Sequence, residues 1–316
     1  MVGIEMELGK FKVSVIVPTY KRSSFVCRAV DSILQQTYKN IEVIVVDDNV
    51  PNSDYRFETE KKMQKYSGLG NVIYKKNNTN FGGALARNEG IKCATGDYVT
   101  FLDDDDIYLP DKILAQLEYM VENDLDLSFT DVRIHDMTNR LVDYREHSYI
   151  KSFANQELLK YHLMHHLTPT ATYMFRKSSL EAIGGFDDIE VGQEYMLMLK
   201  AIEGGLKIGY LPVAHVIQYL HDGERISIGK KKLEKEIELY HFKKQYFSRL
   251  TVRERQYVRF RHHAVMAIVG KRSGFQTVFA KHALFAIAIS PVGCIGELLA
   301  FFNKRLKHSS RGSTEH

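Results

Sequence analysis

Residues 98–106 read Tyr-Val-Thr-Phe-Leu-Asp-Asp-Asp-Asp, an apolar run that empties into four consecutive carboxylates, Asp103 to Asp106. A β-rich apolar run of this length reads as a buried strand. Adjacent like charges repel, so a chain that keeps four together keeps them for a reason. Ligands of open α/β sheets bind where strands end at the carboxyl edge, which puts these aspartates at the mouth of a cleft. Hard carboxylate oxygens in that position suit Mg²⁺ or Mn²⁺ carrying a diphosphate. The competing reading is a solvated acidic turn or helix N-terminus, because Pro110 and a helix-like segment follow.

Outward from this stretch, residues 13–18 (VSVIVP) and 41–46 (IEVIVV) read as short β-branched strands. Between them, 28–36 carries helical apolar spacing at Val30, Ile33 and Leu34, completing a βαβ unit. Residues 71–75 predict another strand, 84–92 a helix, and 98–102 the strand that delivers the aspartates. Strands alternating with helices predict an α/β fold with a mostly parallel sheet and helices on both faces. Pro110 is expected at the first position of a helix over 111–122, whose apolar positions are Ile113, Leu114, Leu117 and Met120. Residues 125–132 and 172–175 predict further strands, and 192–203 a helix after the turn Gly184-Gly185-Phe186-Asp187.

The chain has 316 residues, 44% of them hydrophobic, enough for a core in one large domain or two smaller ones. Its three cysteines, at 27, 93 and 294, supply neither a CxxC metal pair nor a disulfide framework, which predicts a reducing, cytoplasmic setting. Residues 1–12 carry Glu5, Glu7 and Lys10 and no signal-type apolar core, so secretion is not expected. The net charge of +4 conceals a division. Residues 230–316 hold 18 Lys and Arg against 6 Asp and Glu, a net of +12, whereas 1–229 hold 25 against 33, a net of −8. An acidic lobe suits a divalent cation, and a basic, aromatic-rich tail suits anionic lipid or another polyanion rather than nucleic acid.

Five motifs in order carry a resemblance: Val15-Ile16-Val17-Pro18-Thr19-Tyr20, Val45-Val46-Asp47-Asp48-Asn49, Ala86-Arg87-Asn88, Gly96-Asp97-Tyr98 and the aspartate run. Over residues 12–225 the chain resembles the family 2 glycosyltransferases of the GT-A fold. The resemblance implies a Rossmann-like, mostly parallel sheet with flanking helices, and sugar transfer from a nucleotide diphosphate donor with inversion and a divalent metal, Mn²⁺ or Mg²⁺. It implies nucleotide contacts from Pro18, Thr19, Tyr20 (by stacking) and Arg22, and an acceptor for the uracil imide N–H at Asp48, which favours a UDP-sugar. Arg87 follows a glycine pair that allows close backbone approach, at a helix start that favours anions. In the aspartate run the resemblance places metal ligands at Asp105 and Asp103, with Asp103 or Asp104 toward the ribose hydroxyls.

Transfer needs a carboxylate across the sugar to take the acceptor hydroxyl's proton. The family's Glu-Asp helix start is matched by Gln193-Glu194, which makes Glu194 the base and leaves Asp187 and Asp188 as fallbacks. Glu194 keeps the carboxylate with one methylene more, and Gln193 removes a neighbouring charge. In 219–227 the resemblance implies His221 completing the metal shell and Arg225 meeting the diphosphate.

These readings divide the chain into a catalytic domain, 1–229, with a nucleotide-binding part over about 12–130 and an acceptor part over about 131–229, and a basic helical C-terminal region, 230–316. Within the latter, 283–302 is apolar but interrupted by Pro291, Gly293, Gly296 and Glu297. That pattern predicts two short amphipathic segments lying in a membrane interface rather than a span, with 275–307 giving peripheral association at the inner face of the cell membrane. The alternative is a helical hairpin packed on the protein's own core. The expected acceptor is a glycan or lipid-linked glycan of surface polysaccharide synthesis. Two other functions compete: a nucleotidyltransferase, disfavoured because Pro18-Thr19-Tyr20-Lys21-Arg22-Ser23 lacks the glycine of a triphosphate-gripping loop, and a nucleotide-binding scaffold.

Overall fold

The computed structural model describes residues 8–189, 192–221 and 229–296. Arg225 and the end of the apolar 283–302 stretch lie outside them. The first part alternates as the β-branched runs require: β1 (Val13–Thr19), α1 (Ser23–Leu34), β2 (Ile41–Asp47), α2 (Asp54–Met63), β3 (Val72–Lys76), α3 (Gly83–Cys93) and β4 (Tyr98–Phe101). Next come β5 (Ile107–Tyr108), α4 (Lys112–Glu122), β6 (Leu127–Thr130), β7 (Val132–Asp136), β8 (Leu141–Arg145) and α5 (Asn155–His165). After these follow β9 (Met174–Arg176), α6 (Lys177–Ala182), α7 (Gln193–Glu203), β10 (Ile208–Leu211) and β11 (Val216–Leu220). Three helices follow, α8 (Lys230–Lys244), α9 (Val252–Arg272) and α10 (Gln276–Ile289), and residues 291–296, the last described, are again helical.

Seven strands form the main sheet in the order β10-β6-β9-β4-β1-β2-β3. All its pairings are parallel except those of β9, which runs antiparallel to β4 and β6. β1 and β2 are apolar on both faces because helices cover both, and Val13, Val15, Ile16, Val17, Val43, Ile44, Val45 and Val46 are fully buried. A smaller sheet runs β5-β11-β7-β8.

The order positions the cleft. From β1 the chain winds outward through β2 and β3, then returns to place β4 on the other side of β1. That reversal is the switch point where open α/β sheets bind ligands, at the carboxyl ends of the strands. β4 pairs with β1 only as far as Phe101 opposite Ile16. Pro18 comes two residues later, on the same β1 edge facing β4 as Ile16, whose carbonyl accepts from Leu102 N, while Thr19, the residue after Pro18, turns its carbonyl to Asp48 N on the β2 side. A proline lacks the N–H that a continuing β4 would need, so it is tolerated in a central strand only because β4 has ended.

Two sequence expectations are corrected. The single strand expected over 125–132 is two strands in different sheets, broken at Asp131, which is buried and accepts from Tyr210 Oη at 2.6 Å and Tyr144 Oη at 3.2 Å. Pro110 is not the first residue of the following helix: Asp111 is its N-cap and Lys112 begins it, while the Pro110 carbonyl accepts from Thr37 N at 2.9 Å.

The chain divides into two compact units, one of residues up to 140 with 144–159 and 167–220, the other of 141–143, 160–166 and those from 221 onward. In the second, Thr251 and Glu254 form a reciprocal capping box at the start of α9. α9 and α10 pack through Gly270, where a Cβ would meet Phe279 N at 3.0 Å and Val278 Cγ1 at 3.2 Å. Lys243 is buried, donating to the Leu163 carbonyl at 2.8 Å and meeting His166 Nε2 at 2.6 Å. Among the described residues no helix is long and apolar enough to cross a membrane.

Candidate active site

The aspartate run leaves β4 at the switch point, and its four carboxylates have four different environments. Asp104 turns into the fold, buried, and accepts from Thr19 Oγ1 at 2.7 Å at the end of β1. Burial, with the Asp105 charge beside it, pushes its pKa up to about 7. Asp106 is buried under β11, accepting from Tyr219 N at 3.0 Å and Gln218 Nε2 at 3.4 Å. Burial first, then the Asp103 and Asp105 charges, raise it well above the usual carboxylate range. Asp105 meets Arg22 Nη1 at 2.5 Å, and Asp103 meets Arg87 Nη2 at 2.5 Å. The repulsion that the sequence poses is thus relieved two ways: burial raises the pKa values of Asp104 and Asp106, and guanidinium groups face Asp103 and Asp105 at 2.5 Å, Arg22 also lying 3.5 Å from Asp104.

This alternation separates the residues that hold the fold from those that could hold a ligand. Asp103 and Asp105, the spacing expected of a metal site, offer hard carboxylate oxygens at the cleft, which fits Mg²⁺ or Mn²⁺. Asp104 does not face outward as expected of a ribose contact, because its carboxylate anchors the end of β1. Tyr20 is exposed beyond β1, with the Lys21 ammonium 5.0 Å from its ring centroid, so an aromatic face stands at the strand end. Pro18 and Thr19 sit beneath it in β1.

Arg87, on α3, ties the aspartates to α7. Besides Asp103 it reaches Gln193 Oε1 at 3.0 Å and the Gly83 carbonyl at 3.1 Å. Gln193 accepts without a charge of its own, so the guanidinium is neutralised by Asp103 alone among these partners. Glu194 is the next residue, half-buried in the first turn of α7, after Gly192 at φ +83°. Asp187, the fallback base, is held by Lys200 Nζ at 2.8 Å, and Asp188 is exposed. His221 directly follows β11.

Asp48 differs from expectation. Oδ1 accepts from Asn77 Nδ2 at 2.8 Å and Phe81 N at 3.0 Å, and Oδ2 accepts from Asn80 Nδ2 at 2.9 Å and Gly82 N at 2.8 Å. An ionised carboxylate has about four acceptor positions, so the acceptor expected for a base N–H is engaged by the chain. It shapes the 77–82 loop and thereby the start of α3. Three residues to which the sequence reading gave no role support the site. Arg28 Nη2 donates to the Asp105 carbonyl at 2.5 Å while its guanidinium lies 4.0 Å from the Tyr219 ring centroid. Arg56 gathers the carbonyls of Asp47, Asn49 and Asn77. Asn88 clamps Phe186 both ways, donating to its carbonyl at 2.7 Å and accepting from its N–H at 2.9 Å. Only Asn88 had a sequence signal, its place beside Arg87.

Residues 14–183 match the family model described as Glycosyl transferase family 2. The chain belongs to that family. This glycosyltransferase family member is 31% identical over 210 residues to an uncharacterized glycosyltransferase of Methanocaldococcus jannaschii, covering 66% of this chain and 69% of that one. It is 41% identical over 105 residues to the amylovoran biosynthesis glycosyltransferase AmsB of Erwinia amylovora, covering 33% of this chain and 34% of that one. An uncharacterized glycosyltransferase of Rickettsia felis is 42% identical over 119 residues, 38% of this chain and 19% of that protein, so the chain spans about a fifth of that relative's length. Among solved structures, TarS of S. aureus in complex with UDP-GlcNAc is similar in fold, with a TM-score of 0.56 at 18% identity, over 90% of this chain and 92% of that one. The fold is GT-A, a largely parallel sheet with flanking helices, followed here by a C-terminal helical region.

Proposed function

We propose that the protein transfers a sugar, with inversion, from a nucleoside diphosphate donor to a glycan or lipid-linked glycan acceptor of surface polysaccharide synthesis, and that the donor is a UDP-sugar. The observation that carries this reading is the Asp103–Arg87–Gln193 connection, which brings the aspartate run and the start of α7 to one site at the switch point. The UDP-GlcNAc complex of TarS, similar in fold, supports a uridine donor, and the name of AmsB supports a polysaccharide product.

In this reading Tyr20 stacks on the base, and Arg22 and Arg87 meet the diphosphate as bidentate cations. Asp103 and Asp105 would hold Mn²⁺ or Mg²⁺, which when bound neutralises the diphosphate and the charge that develops on it as it leaves. Glu194 takes the proton of the acceptor hydroxyl as that oxygen bonds to the anomeric carbon and the bond from this carbon to the diphosphate oxygen breaks. A single displacement of this kind inverts the centre. Lys200 keeps Asp187 engaged, which leaves Glu194 as the carboxylate of α7's first turn.

We further place the protein at an anionic membrane surface through its basic helical region. Leu284, Phe285 and Ile287 on α10 and Val292 and Ile295 after it are exposed, and in sequence this apolar stretch follows Lys281, a pattern that suits an interfacial segment. Calorimetric titration with UDP, GDP, CDP and ADP, with Mn²⁺ and then with chelator, tests the donor assignment. Metal-dependent, UDP-selective binding is the expected result. Equal binding of all four nucleotides overturns the uridine assignment, and no binding overturns the donor site.

A further inference from the structure

The helical region holds a cluster that sugar transfer does not use. His262 and His263 lie on α9 and His282 on α10, and one ring nitrogen from each lies within 4.8 Å of the other two. His263 Nδ1 and His282 Nδ1 are 2.9 Å apart, sharing one proton between two lone pairs. The three rings are mutually adjacent, with centroids 5.0, 5.9 and 4.9 Å apart. Tyr240 of α8 stacks on His262 at 4.1 Å, with the planes 12° apart, which fixes that ring's orientation. Phe285 covers His263 at 5.1 Å. All three histidines are half-buried.

Three imidazoles gathered across two helices are seldom assembled for hydrogen bonding alone, and among the described residues no carboxylate joins this ligand cluster. They make a good metal site. Imidazole nitrogen suits Zn²⁺, and also Cu, Ni and Co ions, whereas Mg²⁺ and Mn²⁺ prefer oxygen. Zn²⁺ holds nitrogen at about 2.0–2.1 Å in a tetrahedron, which sets ligand nitrogens about 3.3 Å apart. The 2.9 Å pair would open slightly, and the other separations, all within 4.8 Å, would adjust by side-chain rotation. Burial, then neighbouring positive charge, lowers all three imidazole pKa values, His262 to about 3, so the rings present lone pairs at neutral pH.

We propose that His262, His263 and His282 form a transition-metal site, of the kind that takes Zn²⁺, which clips α9 to α10 and leaves the fourth tetrahedral position to water. The site is chemically distinct from the aspartate run and stands whether or not the protein transfers sugar.

The test uses the full chain stripped of metal, titrated with Zn²⁺ alone in excess Mg²⁺ by calorimetry, with thermal unfolding followed in parallel. One Zn²⁺ should bind per chain and raise Tm. His282→Ala and His282→Gln should each weaken binding by ~100-fold or more, beyond the 10–100-fold typical of losing an outer hydrogen-bond partner, while Asp105→Asn leaves it unchanged. Substituting Co²⁺ in the unaltered chain should give the intense visible bands of tetrahedral nitrogen ligation, a readout independent of how any variant folds. The proposal is overturned if the parent chain binds no Zn²⁺, if both His282 variants bind it equally well, if Asp105→Asn abolishes it, or if Co²⁺ shows the weak bands of an octahedral oxygen site.

Discussion

Arg22 Nη1 lies 2.5 Å from Asp105 Oδ2, so a guanidinium holds the carboxylate that a divalent cation would take. An incoming metal therefore competes with a resident charge. The pair is half-exposed on the arginine side, which limits its worth to about 1 kcal/mol. Arg22→Ala should tighten nucleotide-free Mn²⁺ binding by about 5-fold, the equivalent of that energy, read by the loss of the free Mn²⁺ resonance signal. Unchanged or weaker Mn²⁺ binding would count against Asp105 as a ligand.

Glu194 and Asp187 make opposite predictions. Glu194→Gln should lower kcat by about 10²–10⁴-fold, the usual contribution of a general base, and leave the UDP Kd within a few-fold. Asp187→Asn should keep turnover near that of the parent, because its partner is Lys200. Product-release assays with calorimetry check both, and full turnover by Glu194→Gln would remove it as base.

Asn88 should matter to stability. Its amide answers both backbone groups of Phe186, which itself packs edge-on against Phe101 at 5.2 Å. Asn88→Ala leaves both groups without that partner and should cost about 1–3 kcal/mol. Thermal unfolding would show it as a lowered Tm. Asn88→Asp keeps the acceptor for Phe186 N and should fall between the two.

Glu42 should govern part of the acid sensitivity. Burial alone would raise its pKa, but hydrogen bonds from Lys12, Ser14 and Thr95 hold it at about 2. Its pKa is thus lower folded than unfolded, so the stability it supplies is complete above the ordinary glutamate pKa and is lost as pH falls from there to about 2. Glu42→Gln should remove about 2–3 kcal/mol at neutral pH and much less at pH ~2, measured by denaturant unfolding across that range.

The strands around β1 could be read ahead of the structure because both faces of that sheet are covered, so β-branched residues dominate them, with Ser14 and Glu42 bonded to each other where the runs turn polar. Motif order pointed to Arg87 as a phosphate contact, whereas its pairing with Asp103 is visible only in the structure. What escaped were features in which a polar side chain answers the backbone. Asp131 interrupts an apolar run and becomes the break between two sheets because Tyr144 and Tyr210 satisfy it from distant positions. Asp48 resembles a ligand contact in sequence, yet four donors from residues 77–82 engage it. The division of labour among Asp103 to Asp106 depends on which carboxylate meets Thr19, Arg22, Arg87 or Tyr219, and none of those partners is adjacent in sequence.

The position of Pro18 has a consequence for the protein's neighbours as well as its ligands. Where β4 stops, β1 presents an internal edge, the kind of surface onto which a stray strand can zip. A ring nitrogen without hydrogen interrupts that edge within two residues of its start. The mouth of the cleft can therefore stay open to small molecules while offering an extended peptide no continuous ladder to join.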